Sequence, residues 1–73
     1  MHEDTNLLVD GEVIESLPNT MFKVRLDDGR EVLTTLTGRV RRSSARVMPG
    51  VRVKVELTPY GENKGRVIRV HRN

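Results

Sequence analysis

The chain has 73 residues, no cysteine and a formal net charge of +3. That length points to a single domain spanning residues 1–73, and the missing thiols exclude a disulfide or thiolate–zinc staple, so the fold rests on a small core worth about 3–5 kcal/mol net at most. No apolar stretch approaches the roughly 18 residues of a membrane span, and the acidic start Met1-His2-Glu3-Asp4 is unlike a secretory signal.

In chain order, the pattern is strand-like nearly throughout. Leu7, Val9 and Val13 share one face of a first strand, with Gly11 where a long strand would bend or bulge. Pro18 fixes φ at the first corner of a turn, and Asn19 suits the second. Phe22, Val24 and Leu26 then alternate with Lys23, Arg25 and Asp27, the period of a half-buried strand. Asp28-Gly29 predicts a type I′ hairpin turn, in which both central residues take positive φ. Val32 and Leu36, with Thr34 between them, form the return strand. From Gly38 to Met48 the alternation stops, and Val40, Ser44 and Val47 fall at helical spacing, which predicts one or two helical turns closed by Pro49-Gly50. Ser44 and Ala45 bury little area, so this insert should pack loosely. Val51, Val53, Val55 and Leu57 alternate with Arg52, Lys54 and Glu56 in a fourth strand. Pro59 to Gly65 reads as a polar loop. Ile68 and Val70 close the sheet, with Val67 leaving the facing of the last strand open. Residues 1–5 and 72–73 are expected to fray.

An all-β fold of five short strands, with a helix between the third and fourth, fits a small closed barrel. The position of the helix favours an OB fold, a five-stranded barrel that binds nucleic acid, over an SH3-like barrel.

Charge is distributed unevenly. Residues 1–37 carry three basic and eight acidic residues, a net −5; residues 38–73 carry ten basic and two acidic, a net +8. Such asymmetry points to one face made for a polyanion, the alternative being charges that segregate along the chain and mix in space. The main constellation is Gly38-Arg39-Val40-Arg41-Arg42-Ser43-Ser44-Ala45-Arg46. Arginine suits RNA because its planar fork bonds phosphate bidentately and stacks on bases, and the serine hydroxyls add donors. Lys64, Arg66, Arg69, His71 and Arg72 form a second basic group, of which Lys64 and Arg66 flank a glycine and can reach the same ligand. The aromatic residues are only Phe22 and Tyr60. Phe22 alternates with core positions; Tyr60, beside Pro59, either stacks on RNA or covers the barrel end. A chain so poor in stacking platforms is better suited to a folded RNA surface than to a bare single strand.

Enzyme motifs are missing. His2 and His71 are isolated, Asp27 and Asp28 belong to a hairpin turn, and Gly61 to Gly65 lacks the Gly-Lys-Ser/Thr of a P-loop. No cofactor or metal is implied.

Two segments carry a resemblance. Leu17-Pro18-Asn19-Thr20-Met21-Phe22 and Val55-Glu56-Leu57-Thr58-Pro59-Tyr60, the latter followed by Lys64-Gly65-Arg66, each set a proline-bearing turn at the end of an alternating strand. With Gly29, Gly38 and Gly50 between them, the chain from Gly11 to Arg66 resembles bacterial translation initiation factor one. The resemblance implies an OB-fold, non-enzymatic binding protein at the aminoacyl-tRNA site of the small ribosomal subunit. Its implied neighbours there are the decoding helix, an adjacent RNA loop and a ribosomal protein, and it acts with two other initiation factors. Arg39, Arg41 and Arg46 match the family's contacts to the decoding helix; Lys64, Arg66 and Tyr60 match residues of its last loop. With Arg42 these make the candidate RNA-binding set. The expected setting is the cytoplasm and the expected state a monomer, with no membrane partner. Arg39 stands for a usual lysine and Val40 for a methionine. Ser44-Ala45 replaces an aromatic-aliphatic pair, Thr35 a common histidine, Arg69-Val70 an aromatic-Arg pair, and the common Ala-Lys start is absent. Two other readings remain: a general nucleic-acid-binding module such as an RNA chaperone, and a protein-interaction module using the acidic half.

Overall fold

A computed structural model describes residues 7–42, 46–57 and 63–71. The expected fraying of residues 1–5 and 72–73 lies outside them, as do Ser44, Ala45 and Tyr60.

Alternation of apolar and polar residues builds five strands: β1 (Leu7–Leu17), β2 (Met21–Leu26), β3 (Glu31–Leu36), β4 (Arg52–Leu57) and β5 (Lys64–Val70). A short helix, α1 (Gly38–Arg42), lies between β3 and β4. The strands close in the order β1-β2-β3-β5-β4, with β4 returning to β1. The β3–β5 pair is parallel and the others are antiparallel. This is the OB-fold barrel expected from the sequence, with a short helix between β3 and β4 as expected; the helix ends at Arg42, however, and residues 46–48, which the apolar spacing carried into it up to Pro49-Gly50, are not helical.

β1 serves both halves of the barrel. Residues 7–12 pair with β4, and Gly11 onward pairs with β2, so Gly11 faces Leu26 on one side and Val53 on the other. At this crossing a Cβ would stand 2.6 Å from the Arg25 carbonyl oxygen and 2.8 Å from a Val24 methyl. Only glycine lets the strands approach so closely. Gly11 is therefore the bend, while the bulge falls three residues later: Val13 faces Val24 and Glu15 faces Lys23, leaving Ile14 unmatched. Leu7 does not join the buried face. It stands at the far end of β1 and is 60% exposed.

The core is almost all valine: Val13, Val24, Val32, Val40, Val53, Val55 and Val67, with Leu26. β-Branched side chains are stiff at χ1 and suit a pleated interior. Phe22, Leu36, Val47, Val51, Leu57 and Val70 pack around the edge of this core. Thr34 is the polar residue of the interior, and its hydroxyl donates to the Phe22 carbonyl at 2.9 Å.

Of the two turns, the first forms where Pro18 and Asn19 point to it and the second differs from expectation. After the single 3₁₀ turn Pro18–Thr20, the residue with positive φ is Thr20 (57°), one place beyond Asn19. At Asp28-Gly29 only Gly29 has positive φ, 97°. The Gly29 N–H donates to the Leu26 carbonyl and the Leu26 N–H to the Arg30 carbonyl, which makes a three-residue loop ending in a glycine bulge in place of the two-residue I′ turn. The Asp28 carboxylate fixes this geometry by accepting the Arg30 N–H at 2.9 Å.

A second bulge settles the facing of β5. Val55 faces Val67 but Lys54 faces Arg69, so Ile68 is unmatched. Val67 and Val70 thereby both turn toward the core, and Ile68 and Arg69 both face out. Ile68 is half-buried on the outer side and does not close the interior.

Candidate nucleic-acid interface

A helix of five residues has no stability of its own. α1 is held by one anchor and two threads. Val40, 6% exposed, plugs into the core. The Thr37 carbonyl accepts the Arg41 N–H at 2.9 Å, and the Thr37 N–H donates to the Val67 carbonyl at 3.2 Å, tying the helix to β5. The Thr37 hydroxyl lies 3.5 Å from the Val40 N–H, a long cap. With Val40 inside, Arg39, Arg41 and Arg42 are all exposed. Arg42 folds back, its Nε donating to the Gly38 carbonyl at 3.3 Å. Arg46 is exposed beyond the helix.

Ion pairing sorts the cations into two populations. Lys23, Arg25, Arg30, Arg52 and Arg66 each sit against a carboxylate: Glu15, Glu31, Asp28, Asp27 and Glu56 respectively. Arg39, Arg41, Arg42, Arg46, Lys54, Lys64 and Arg69 form no ion pair among the described residues. Four of these five pairs fall on carboxylates of the acidic half, Glu15, Asp27, Asp28 and Glu31. Two hydrogen bonds from Arg52 lower the pKa of Asp27 and in turn raise that of Arg52. The Arg30 backbone N–H lowers Asp28. His71 belongs to this side too, with Nε2 2.8 Å from Asp10 Oδ1.

The second population gathers on α1 and the outer side of β4 and β5. Arg39 meets Lys54 and Arg69 around an open groove of about 530 Å³ with Leu8 and Ile68 as its apolar walls. Lys54 and Arg69 face each other in the β4–β5 ladder. Lys64 opens β5 opposite Leu33 and is exposed. Arg66 stands apart from the rest of the candidate set: its guanidinium is 2.7 Å from Glu56. Tyr60 lies outside the described residues.

Lys54 was not legible as a site residue, because its place in an alternating strand marks it only as outward-facing. Arg69 reads from sequence as part of a basic tail. The bulge at Ile68 is what turns it toward Lys54 and Arg39.

A field of cations that form no ion pair among the described residues is suited to a phosphate backbone, even with Leu8 and Ile68 walling its groove. Among the described residues no group of three His, Cys, Asp or Glu could hold a metal ion, and no helix is long and apolar enough to cross a membrane.

Comparison with known proteins places the chain among similar sequences and folds. A family model described as translation initiation factor 1A / IF-1 matches residues 2–73. The solution structure of translation initiation factor one from the Wolbachia endosymbiont strain TRS of Brugia malayi is 39% identical, covers 94% of this chain and 82% of that one, and superposes with a TM-score of 0.74. The crystal structure of YjeQ from Thermotoga maritima is 25% identical with a TM-score of 0.73, over 90% of this chain but 23% of that one.

Proposed function

The chain belongs to the translation initiation factor 1A / IF-1 family, and from that membership we propose that it binds the aminoacyl-tRNA site of the small ribosomal subunit through ribosomal RNA. The observation that carries this reading is the sorting of cations: among the described residues, the arginines and lysines that form no ion pair collect around α1 and the outer β4–β5 surface, while Lys23, Arg25, Arg30, Arg52 and Arg66 each sit against a carboxylate.

Arg39, Arg41, Arg42 and Arg46 bond phosphate oxygens of a folded RNA, and Lys54, Lys64 and Arg69 extend the same footprint along the barrel. Arg66 on β5 adds to the contact, and Tyr60 belongs to the candidate set by its match to the family's last loop. Binding is the whole of the activity: the protein is not an enzyme and uses no cofactor. It acts in the cytoplasm as a monomer, beside a ribosomal protein and with the other initiation factors. Phe22 packs against the core, which removes one of the two aromatics from any stacking platform and speaks against a general single-strand chaperone.

The test is equilibrium binding to purified small ribosomal subunits in the presence of excess unstructured RNA oligonucleotide. Saturable binding that survives the competitor is expected. Complete displacement would favour the general nucleic-acid-binding module.

A further inference from the structure

Three residues on the outer side of the barrel form one row across neighbouring strands. Asp10 on β1 stands opposite Lys54 on β4, and Lys54 opposite Arg69 on β5. Opposite charges so placed attract across a ladder. Lys54 nevertheless forms no ion pair among the described residues, although Asp10 is its register partner. The Asp10 carboxylate is bound elsewhere: Oδ1 lies 2.8 Å from His71 Nε2, and since an ionised carboxylate only accepts, Nε2 carries the proton. β4 lies between β1 and β5, so this contact from His71, just past the end of β5, spans β4. The His71 main-chain N–H anchors it there by donating to the Arg52 carbonyl at 2.9 Å. Two further carboxylates lie near Lys54. Glu12 stands opposite Arg52, and Glu56, two places along β4, is 2.7 Å from Arg66.

We propose that His71 is a positioning residue: by holding Asp10 it keeps that carboxylate off Lys54 and leaves the ammonium for RNA phosphate. This rests on the RNA-binding reading above. Both partners of the His71–Asp10 contact are partly exposed, so without the imidazole the carboxylate turns readily to the nearest cation. Lys54 is that cation, because Arg52 is already held by both carboxylate oxygens of Asp27 and Arg69 lies one strand further off. A lysine neutralised by Asp10 adds nothing to the counterions released from RNA. His71 thus sets how many cations this surface presents, acting through Lys54 rather than on the RNA.

The experiment measures binding to purified small ribosomal subunits across a salt series for wild type, His71→Ala, Asp10→Asn and the double variant, each with Lys54 present and with Lys54→Ala. His71→Ala should weaken binding about two- to fivefold at low salt, the range of an exposed ion pair. It should also make the slope of log affinity against log salt shallower by up to about 0.9. Adding Asp10→Asn to His71→Ala should restore the wild-type slope, whereas Asp10→Asn alone should change it little. In the Lys54→Ala background His71→Ala should leave the slope unaltered. His71→Thr, a strand former too short to reach Asp10, repeats the test if the alanine variant does not fold. Three results overturn the proposal while leaving RNA binding intact: an unchanged slope on His71→Ala, the same loss without Lys54, or the same gain from Asp10→Asn with and without His71. The last two are what a plain change of net charge would give. Absence of binding by the wild type overturns the RNA reading itself, and this inference with it.

Discussion

Arg52 sets its two terminal nitrogens against the two carboxylate oxygens of Asp27, each at 2.9 Å, although 25 residues separate them in the chain. The pair joins the β2–β3 turn to the start of β4. It gives the acidic half of the sequence an internal partner and so leaves the cations around α1 for an external one.

The acid response follows from this pair. Asp27 and Asp28 both titrate below their ordinary value of 3.8, so they bind fewer protons folded than unfolded around that pH. Their contribution to stability is present at neutral pH and lost as pH falls through their lowered pKa values. The thermal midpoint should therefore drop below about pH 4. Asp27→Asn should lower the midpoint at pH 7 slightly and flatten the acid limb. An acid limb identical in the variant would show that Asp27 plays no part.

Gly11→Ala tests the crossing of β1. The new methyl meets a backbone carbonyl at 2.6 Å, and backbone cannot swing aside as a side chain can. Overpacking of this kind costs about 1–3 kcal/mol, and a contact this short belongs at the upper end. Urea unfolding should show an earlier midpoint with little change in slope.

Arg41→Ala and Arg46→Ala test the site. Each removes charge-assisted hydrogen bonds worth about 1.5–3 kcal/mol, roughly a ten- to hundredfold loss in affinity for small subunits. Loss on an unstructured oligonucleotide should be far smaller. Parallel titrations on the two ligands at fixed salt decide the matter, and proportional losses would point to general phosphate binding.

Lys54→Ala separates the structural reading from the sequence reading. Lys54 lies on the outer side of β4, facing Arg69. Its removal should leave the unfolding midpoint nearly unchanged. The salt slope of subunit binding should become shallower by about 0.7–0.9, one phosphate contact. An unaltered slope would place Lys54 outside the footprint.

Much of this architecture is legible in the sequence because β-strand burial has a strict period. Val53 and Val55 on one face and Lys54 on the other need no structure to be recognised, and the same holds for Val24 and Leu26. What breaks the period is a bulge, which leaves no local signature when the residues are all strand formers. The stretch Val67-Ile68-Arg69-Val70 is such a case: its inward residues are three apart, and that spacing depends on pairing with β4. The turn at Asp28-Gly29 shows a different limit. Aspartate-glycine suits two turn types, and the choice here is made by a carboxylate-to-backbone bond reaching Arg30. For the site, residue type identified Arg39, Arg41, Arg42 and Arg46 as exposed cations. Which basic residues are already neutralised depends on partners such as Glu56 and Asp27, and only folding brings these together.

The strand order holds one more consequence. β5 is the fifth strand in chain order, yet it is inserted between β3 and β4. Until it docks, β3 and β4 each present an unpaired edge, and the Val67 position in the core is empty. During synthesis the first four strands can therefore assemble only an open sheet. The ring snaps shut when β5 leaves the ribosome, so any premature termination before Lys64 yields a chain with two sticky edges, vulnerable to aggregation and proteolysis.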